Sequence, residues 1–350
     1  MSLTSELNDP NSPLSRFMER ELPAVSRITG SLRSQLPLQP RTVTPQAAGR
    51  PDYRSLGRAI DRRLRVAFGA PVDAALLNGV LYAGIDAAER SSRAVGQAVH
   101  GCGQALLSEL KAQPAASPGV MTCSGPVEER LSRLCFAASY FEEVARAGLR
   151  AGNPLLRLDA GGVLDDLLVQ VPAYVPGDIA GQVELAEADG ALGWATRLPL
   201  DRLICAPVFS GSNDVGGADA DFIADGHLID CKATTRPDRF GSRKEVYQLA
   251  GYLLLDYEDE YGVDRVCFYL SRQGRLVMWP VEAFLELLGA RRSLPELRDA
   301  LRRALHQPGT SAKPQKPLPP QATQESLFDE NREESKTESG EDGEDRSGTS

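Results

Sequence analysis

Residues 216–252 read GGADADFIADGHLIDCKATTRPDRFGSRKEVYQLAGY, and the reading of the fold starts from them. Two short runs of alternating character, 218–224 and 227–233, are joined by Asp225-Gly226. Asp-Gly between alternating runs predicts a two-residue hairpin, because a type I′ turn needs φ > 0 at both central positions. Counting outward from that turn sets Ala224 against His227, Ile223 against Leu228, Asp221 against Asp230 and Asp219 against Lys232. Side chains alternate across a strand, so the four charged residues share one face. Ala220, Phe222, Ala224, Ile229, Cys231 and Ala233 take the other, expected to be the core face. Directly opposed Cβ atoms lie roughly 5 Å apart, close enough for Asp221 and Asp230 to hold one cation. Two like charges so placed destabilise a sheet unless something neutralises them, and a divalent metal would do so.

Working outward, 234–243 reads as a loop carrying Arg236, Arg239 and Arg243. Residues 244–257 read as a helix that sets Gln248 and Tyr252, four apart, on one face. Runs 265–270 and 275–279 suggest a second hairpin around Gln273-Gly274, and 281–288 and 294–306 read as closing helices. Upstream, 203–209 is expected to be a strand. Residues 53–68, 73–89, 92–113 and 127–148 are expected to be helices, with a Pro/Gly-punctuated loop at 114–125. On the last of these helices Leu131, Leu134, Cys135, Ala138, Ala145 and Leu149 form one apolar stripe, and Glu142 falls inside it. An acid on an apolar face needs a partner or a purpose. The chain therefore divides into a flexible Pro/Ser/Arg-rich arm over 1–52, with a short helix at 13–21, and a domain over 53–306. That domain has a helical part (53–200), a motif core (201–280) and closing helices (281–306). Residues 307–350 read as a disordered acidic tail.

Composition is that of a globular protein, 42% hydrophobic and 25% charged. No apolar run approaches a membrane span and the N-terminus lacks the hydrophobic stretch of a signal peptide, so no membrane association and a cytoplasmic location are expected. Six scattered cysteines without a C-x-x-C pair argue against a zinc ribbon or a disulfide framework. Residues 321–350 hold ten acids and three bases, which accounts for most of the net charge of −9. The body is nearly neutral, which does not exclude a nucleic-acid partner. No G-x-x-x-x-G-K-[ST] loop is present, so ATP-driven work would need another chain.

A hairpin with Asp on one strand and Asp-x-Lys on the next suits phosphodiester hydrolysis. Its carboxylates, with the backbone carbonyl of Cys231 between them and the lysine, offer oxygen ligands to Mg²⁺ or Mn²⁺. The ammonium of Lys232 positions or deprotonates water and offsets charge in the transition state. Gly216-Gly217-Ala218-Asp219-Ala220-Asp221, then Asp230-Cys231-Lys232, then Gln248-Leu249-Ala250-Gly251-Tyr252 resemble the PD-(D/E)XK nuclease superfamily, in particular its RecB-like branch. That branch shows G-x-x-D on one strand, D-x-K on the next and Q-x-x-x-Y on the following helix. The resemblance covers about 200–280 and implies a restriction-endonuclease-like α/β core, a mixed sheet of four or so strands flanked by helices. It also implies a metal-dependent DNA nuclease of repair, recombination or phage defence. Glycine spacing alone would make Asp219 the first-strand acid; register favours Asp221, leaving Asp219 to orient Lys232 or hold a second metal. The branch's upstream ligand, a His or Glu on an early helix, would here be Glu142 or Glu143, favoured over Asp61 in Leu56-Gly57-Arg58-Ala59-Ile60-Asp61. Gln248 and Tyr252 would face the substrate, with Arg236, Arg239 and Arg243 on phosphates. The grouped cysteines of the branch's iron–sulfur members are missing, so no cluster is expected. Two alternatives stand beside this reading, a non-catalytic DNA-binding adaptor that retains the fold and a phosphoesterase acting on a small molecule. In the tail, Gln324-Glu325-Ser326-Leu327-Phe328 resembles the Q-x-x-L-F peptide with which bacterial proteins bind the sliding clamp, which names Gln324, Leu327 and Phe328 as partner-binding residues.

Overall fold

The computed structural model describes residues 2–37, 40–188 and 191–306; the sliding-clamp-like peptide at 324–328 lies outside them. The chain enters through three helices, α1 (Leu3–Asn8), α2 (Pro13–Glu21) and α3 (Val25–Gln35). Residues 3–35 are therefore not a flexible arm. Leu3, Leu14, Phe17, Met18, Ile28 and Leu32 are all buried in a hydrophobic core shared with the later part of the chain. Each of these helices is too short to persist alone in water. What fixes them is the apolar side they lay on distant residues, which local composition does not reveal.

A helical block follows: α4 (Tyr53–Ala67), α5 (Ala74–Arg90), α6 (Arg93–Ala112), α7 (Gly125–Ala147), α8 (Leu164–Val169) and α9 (Val175–Ala188). The first four match the helices expected from periodicity to within two residues at each end. Gly79 of α5 lets that helix lie directly on α7, where a β-carbon would collide with the Phe141 carbonyl. The sheet comes next.

The Asp-Gly turn takes the conformation its residue types favour, with φ 48° at Asp225 and 79° at Gly226. β1 (Leu203–Cys205) pairs antiparallel with β2 (Phe222–Ala224), and β2 pairs antiparallel with β3 (His227–Lys232). The register Phe222↔Ile229, Ile223↔Leu228, Ala224↔His227 is the one counted from the turn. The β1 segment ends well short of residue 209, because Ala206 takes a positive φ of 52° and Pro207 has no N–H to donate. α10 (Arg243–Leu255) then carries the chain over to β4 (Arg265–Leu270), which lies parallel to β3, a neighbour no tight turn can reach. β5 (Arg275–Pro280) returns antiparallel, and α11 (Val281–Leu287) and α12 (Leu294–Leu305) close the chain. The result is an α/β fold built on one five-stranded mixed sheet in the order β1-β2-β3-β4-β5.

Both faces of this sheet are covered. Phe222, Ala224, Ile229, Cys267 and Tyr269 pack into the core of α4–α9, and Ile223, Leu228, Val266, Phe268 and Leu270 into the core of α1–α3 and α10–α12. The expectation of one core face and one charged face is thereby corrected: alternate residues along β4 feed opposite cores. A strand buried on both sides reads as a near-continuous apolar run, here Val266-Cys267-Phe268-Tyr269-Leu270. The charged residues of the hairpin are confined to one end of it.

Candidate active site

Beyond the Phe222–Ile229 pair the two strands separate, and a side chain takes over from the backbone. Asp221 Oδ2 accepts the N–H of Cys231 at 2.6 Å, which pins this carboxylate against β3 one residue from Asp230. Asp230 is almost fully buried, at 2% exposure. Its two oxygens lie 2.9 and 2.7 Å from Lys232 Nζ. The same ammonium donates to Gln248 Oε1 at 3.3 Å, while Gln248 Nε2 donates to the Tyr252 hydroxyl at 2.8 Å. The i, i+4 pair on α10 thus forms a relay that holds the lysine. Tyr252 is buried and one face of its ring stacks on Phe209, centroids 5.8 Å apart, while the residue still borders the pocket. Its hydroxyl is joined to Lys232 through Gln248.

These residues line a pocket of about 290 Å³, to which α4 contributes Asp61, α1 contributes Thr4 and the N-cap of α1 contributes Ser2. Asp61 is the upstream acid the structure brings to the hairpin. Its Oδ2 pairs with Arg65 at 2.8 Å, and its Oδ1 is buried without a hydrogen-bond partner. Glu142 also borders the pocket, but its carboxylate is taken up by Arg62, a buried arginine that holds Asp73 and the Pro71 carbonyl as well. Glu143 is half-buried and outside the pocket lining. The order of preference drawn from sequence, Glu142 or Glu143 before Asp61, is reversed by this arrangement. Glu142 sits in its apolar stripe because α4 supplies a buried cation, which periodicity on α7 alone does not show.

Asp219 is not opposite Lys232. It forms a single β-bridge with Val208 and lies 4.0 Å from Arg146, so it does not orient the lysine. Arg236 and Arg239 both turn to Asp238, and Arg243 pairs with Glu19 of α2 at 2.7 Å. None of the three loop arginines lines the pocket. Four arginines that sequence reasoning passed over do: Arg54, Arg58, Arg65 and Arg146. The spacing 54, 58, 61, 65 was legible as one face of α4, but nothing local said which way that face turns.

Electrostatics reports a site with too much negative charge for its burial. Burial raises the Asp61 carboxyl to about 7 against the pull of Arg65, and Asp221 pushes the same way. Burial and then Asp230 raise Asp221 to about 6. Asp230 is raised as well, by burial, with Lys232 opposing. Burial works against the charge on Lys232, yet Asp230 and Asp221 outweigh it and hold the ammonium above its ordinary range. A lysine so held is charged at neutral pH; it can position a water and neutralise developing charge, but it is no base.

Among the described residues no three His, Cys, Asp or Glu side chains are gathered closely enough to form a metal-ligating group. The donor chemistry nevertheless fits a hard divalent cation. Asp61, Asp221 and Asp230 are oxygen donors in one pocket that raise one another's pKa, and Asp61 Oδ1 is a buried acceptor with nothing to accept. No family model matches the chain, and no curated protein or solved structure matches it either.

Proposed function

We propose that the protein is a metal-dependent nuclease with a PD-(D/E)XK-type core, hydrolysing phosphodiester bonds of DNA. The observation that carries this reading is the joining of Asp61, Asp221, Asp230 and Lys232 in one pocket at the open end of the β2–β3 hairpin. The sequence of strand, Asp-x-Lys strand and Gln-x-x-x-Tyr crossover helix supports it. Asp221, Asp230 and Asp61, with the Cys231 carbonyl, would hold Mg²⁺ or Mn²⁺, which supplies neutralisation of the acids and activation of water. Asp230 and Asp221 keep Lys232 protonated and Gln248 helps position it beside the reacting phosphate, where its charge opposes that of the transition state. Gln248 and Tyr252 are positioning residues.

The size of the pocket also favours a second reading, a phosphoesterase acting on a small molecule, since about 290 Å³ lies at the small end of ligand-sized cavities. One experiment decides. Wild type, Asp230→Ala and Lys232→Ala are incubated with linear and circular DNA, single- and double-stranded, and with a small aryl phosphodiester, in Mg²⁺ or Mn²⁺. Cleavage of DNA by wild type, reduced by at least about 10³-fold in both variants, is expected. Turnover of the aryl ester without DNA cleavage would select the second reading, and turnover of neither would remove both.

A further inference from the structure

The arginine side of the pocket carries chemistry that the acids and Lys232 do not use. Arg54 and Arg58 lie one turn apart on α4, and Arg146 lies in the last turn of α7. All three line the same pocket as Asp221 and Asp230. Arg54 is exposed and makes no ion pair among the described residues. Arg146 has only the loose 4.0 Å approach to Asp219. Arg58 uses one of its five N–H donors on the Ser139 carbonyl, at 3.1 Å, which fixes the stem of its guanidinium between α4 and α7. Arg65, by contrast, is buried and its guanidinium pairs with both Asp61 and Asp73.

Three guanidiniums converging on one pocket wall repel one another. The cost shows at Arg58, whose pKa is lowered first by burial and further by Arg146 and Arg54, with Glu142 and Glu143 opposing. This is the mirror image of the acidic side, where like charges also meet without full compensation. A pocket that crowds Asp61, Asp221 and Asp230 together and also presents arginines with unused donors suits a ligand with two different demands. A cation satisfies the first, and an anion with several acceptor oxygens, matched to guanidinium forks, satisfies the second.

Resting on the nuclease reading, we infer that Arg54, Arg58 and Arg146 form a phosphate-binding wall. It grips a phosphate of the substrate strand next to the one being hydrolysed, and the loop arginines 236, 239 and 243 have no part in it. The shared chemistry is a phosphate, which is either an internal diester or a terminal monoester.

The test measures binding, in the full chain, against salt. In an Asp230→Asn background that blocks cleavage, the affinity for a fluorescent DNA oligonucleotide is followed from 50 to 300 mM salt, with Arg54→Ala, Arg58→Gln or Arg146→Ala added. Arg58→Gln keeps a donor for the Ser139 carbonyl, and melting temperature checks that each variant folds. Removing one guanidinium from its phosphate is expected to lower the slope of log K against log salt by about 0.7 to 0.9, and to weaken binding at 50 mM by about three- to tenfold. Arg236→Ala is expected to leave the slope where it is. Oligonucleotides with a 5′-phosphate, a 5′-hydroxyl or no end at all separate the two sources. A difference that vanishes in Arg54→Ala marks a terminal monoester, and equal binding with a reduced slope marks an internal diester. If wild type cleaves DNA while all three variants keep the parent slope, the arginine wall is wrong and the nuclease reading stands. If wild type neither binds nor cleaves DNA, both fall.

Discussion

Asp61 and Glu142 are two acids on neighbouring helices that border one pocket, and their partners separate their roles. Glu142 answers a buried Arg62, so its loss leaves that cation to Asp73 and the Pro71 carbonyl; Asp61 keeps one oxygen unsatisfied and is charged against its burial, with Arg65 its ion-pair partner. Asp61→Asn is therefore expected to stabilise the metal-free protein at pH 8 by roughly 1–2 kcal/mol while lowering metal-dependent cleavage by at least about 10²-fold. Glu142→Gln is expected to do the reverse, destabilising by roughly 2–4 kcal/mol with a smaller effect on turnover. Urea unfolding at pH 8 and initial cleavage rates of the two variants check both; a destabilised Asp61→Asn would mean that its carboxylate is structural. At this scale the hairpin was legible. Asp-Gly fixed the turn, the turn fixed the register, and the register put Asp221 beside Asp230. What sequence could not give was the partner of each acid, because Arg62–Glu142 joins residues 80 positions apart. The i, i+4 spacing set Gln248 and Tyr252 on one face of α10, but it could not show that they are joined to Lys232.

Among the elements, α2 shows how a correct local reading can miss a global one. Its limits, 13–21, follow from Ser12 as N-cap and Pro13 at the first helical position. The reading as an arm failed because nine residues give no lasting periodicity, and the surface they cover belongs mainly to α12, more than 200 residues away in sequence. The packing is substantial: Phe17 and Met18 are wholly buried, and the Tyr247 hydroxyl of α10 donates to the Leu22 carbonyl at 3.1 Å just past the end of α2. Phe17→Ala removes a full aromatic side chain from that core. It should cost roughly 3–4 kcal/mol, lowering the melting temperature by on the order of 10 °C. In a flexible arm the same substitution would change the melting temperature by less than a degree or so, so scanning calorimetry of this one variant tests the placement of α1–α3.

In the molecule as a whole, the sheet separates two hydrophobic cores, and the acids gather where its central hairpin opens. That location carries a pH signature. Asp61 goes from 3.8 to about 7, and Asp221 from 3.8 to about 6, on folding. Between those limits the folded state holds protons the unfolded chain has released, so the stability gained by keeping these carboxyls neutral is full below pH about 4 and is lost as pH rises to about 7. Other carboxylates work in the opposite direction below pH 4: Asp73, lowered overall by Arg62 and Arg65 despite its burial, favours folding once ionised. The metal-free protein should therefore be most stable near pH 4 and less stable by several kcal/mol at pH 8. A divalent cation bound by the same oxygens replaces the protons. Millimolar Mg²⁺ or Mn²⁺ should raise the melting temperature at pH 8, by mass action on the folded state, and do little at pH 5 where protons hold the sites. Differential scanning fluorimetry at pH 5, 6.5 and 8, with EDTA or with each metal, measures this directly. The Asp61→Asn, Asp221→Asn double variant should show a flat profile and no response to metal. A wild-type profile that is already flat, with no gain from either cation at pH 8, would show that the acids are satisfied within the fold and that the pocket is not a metal centre.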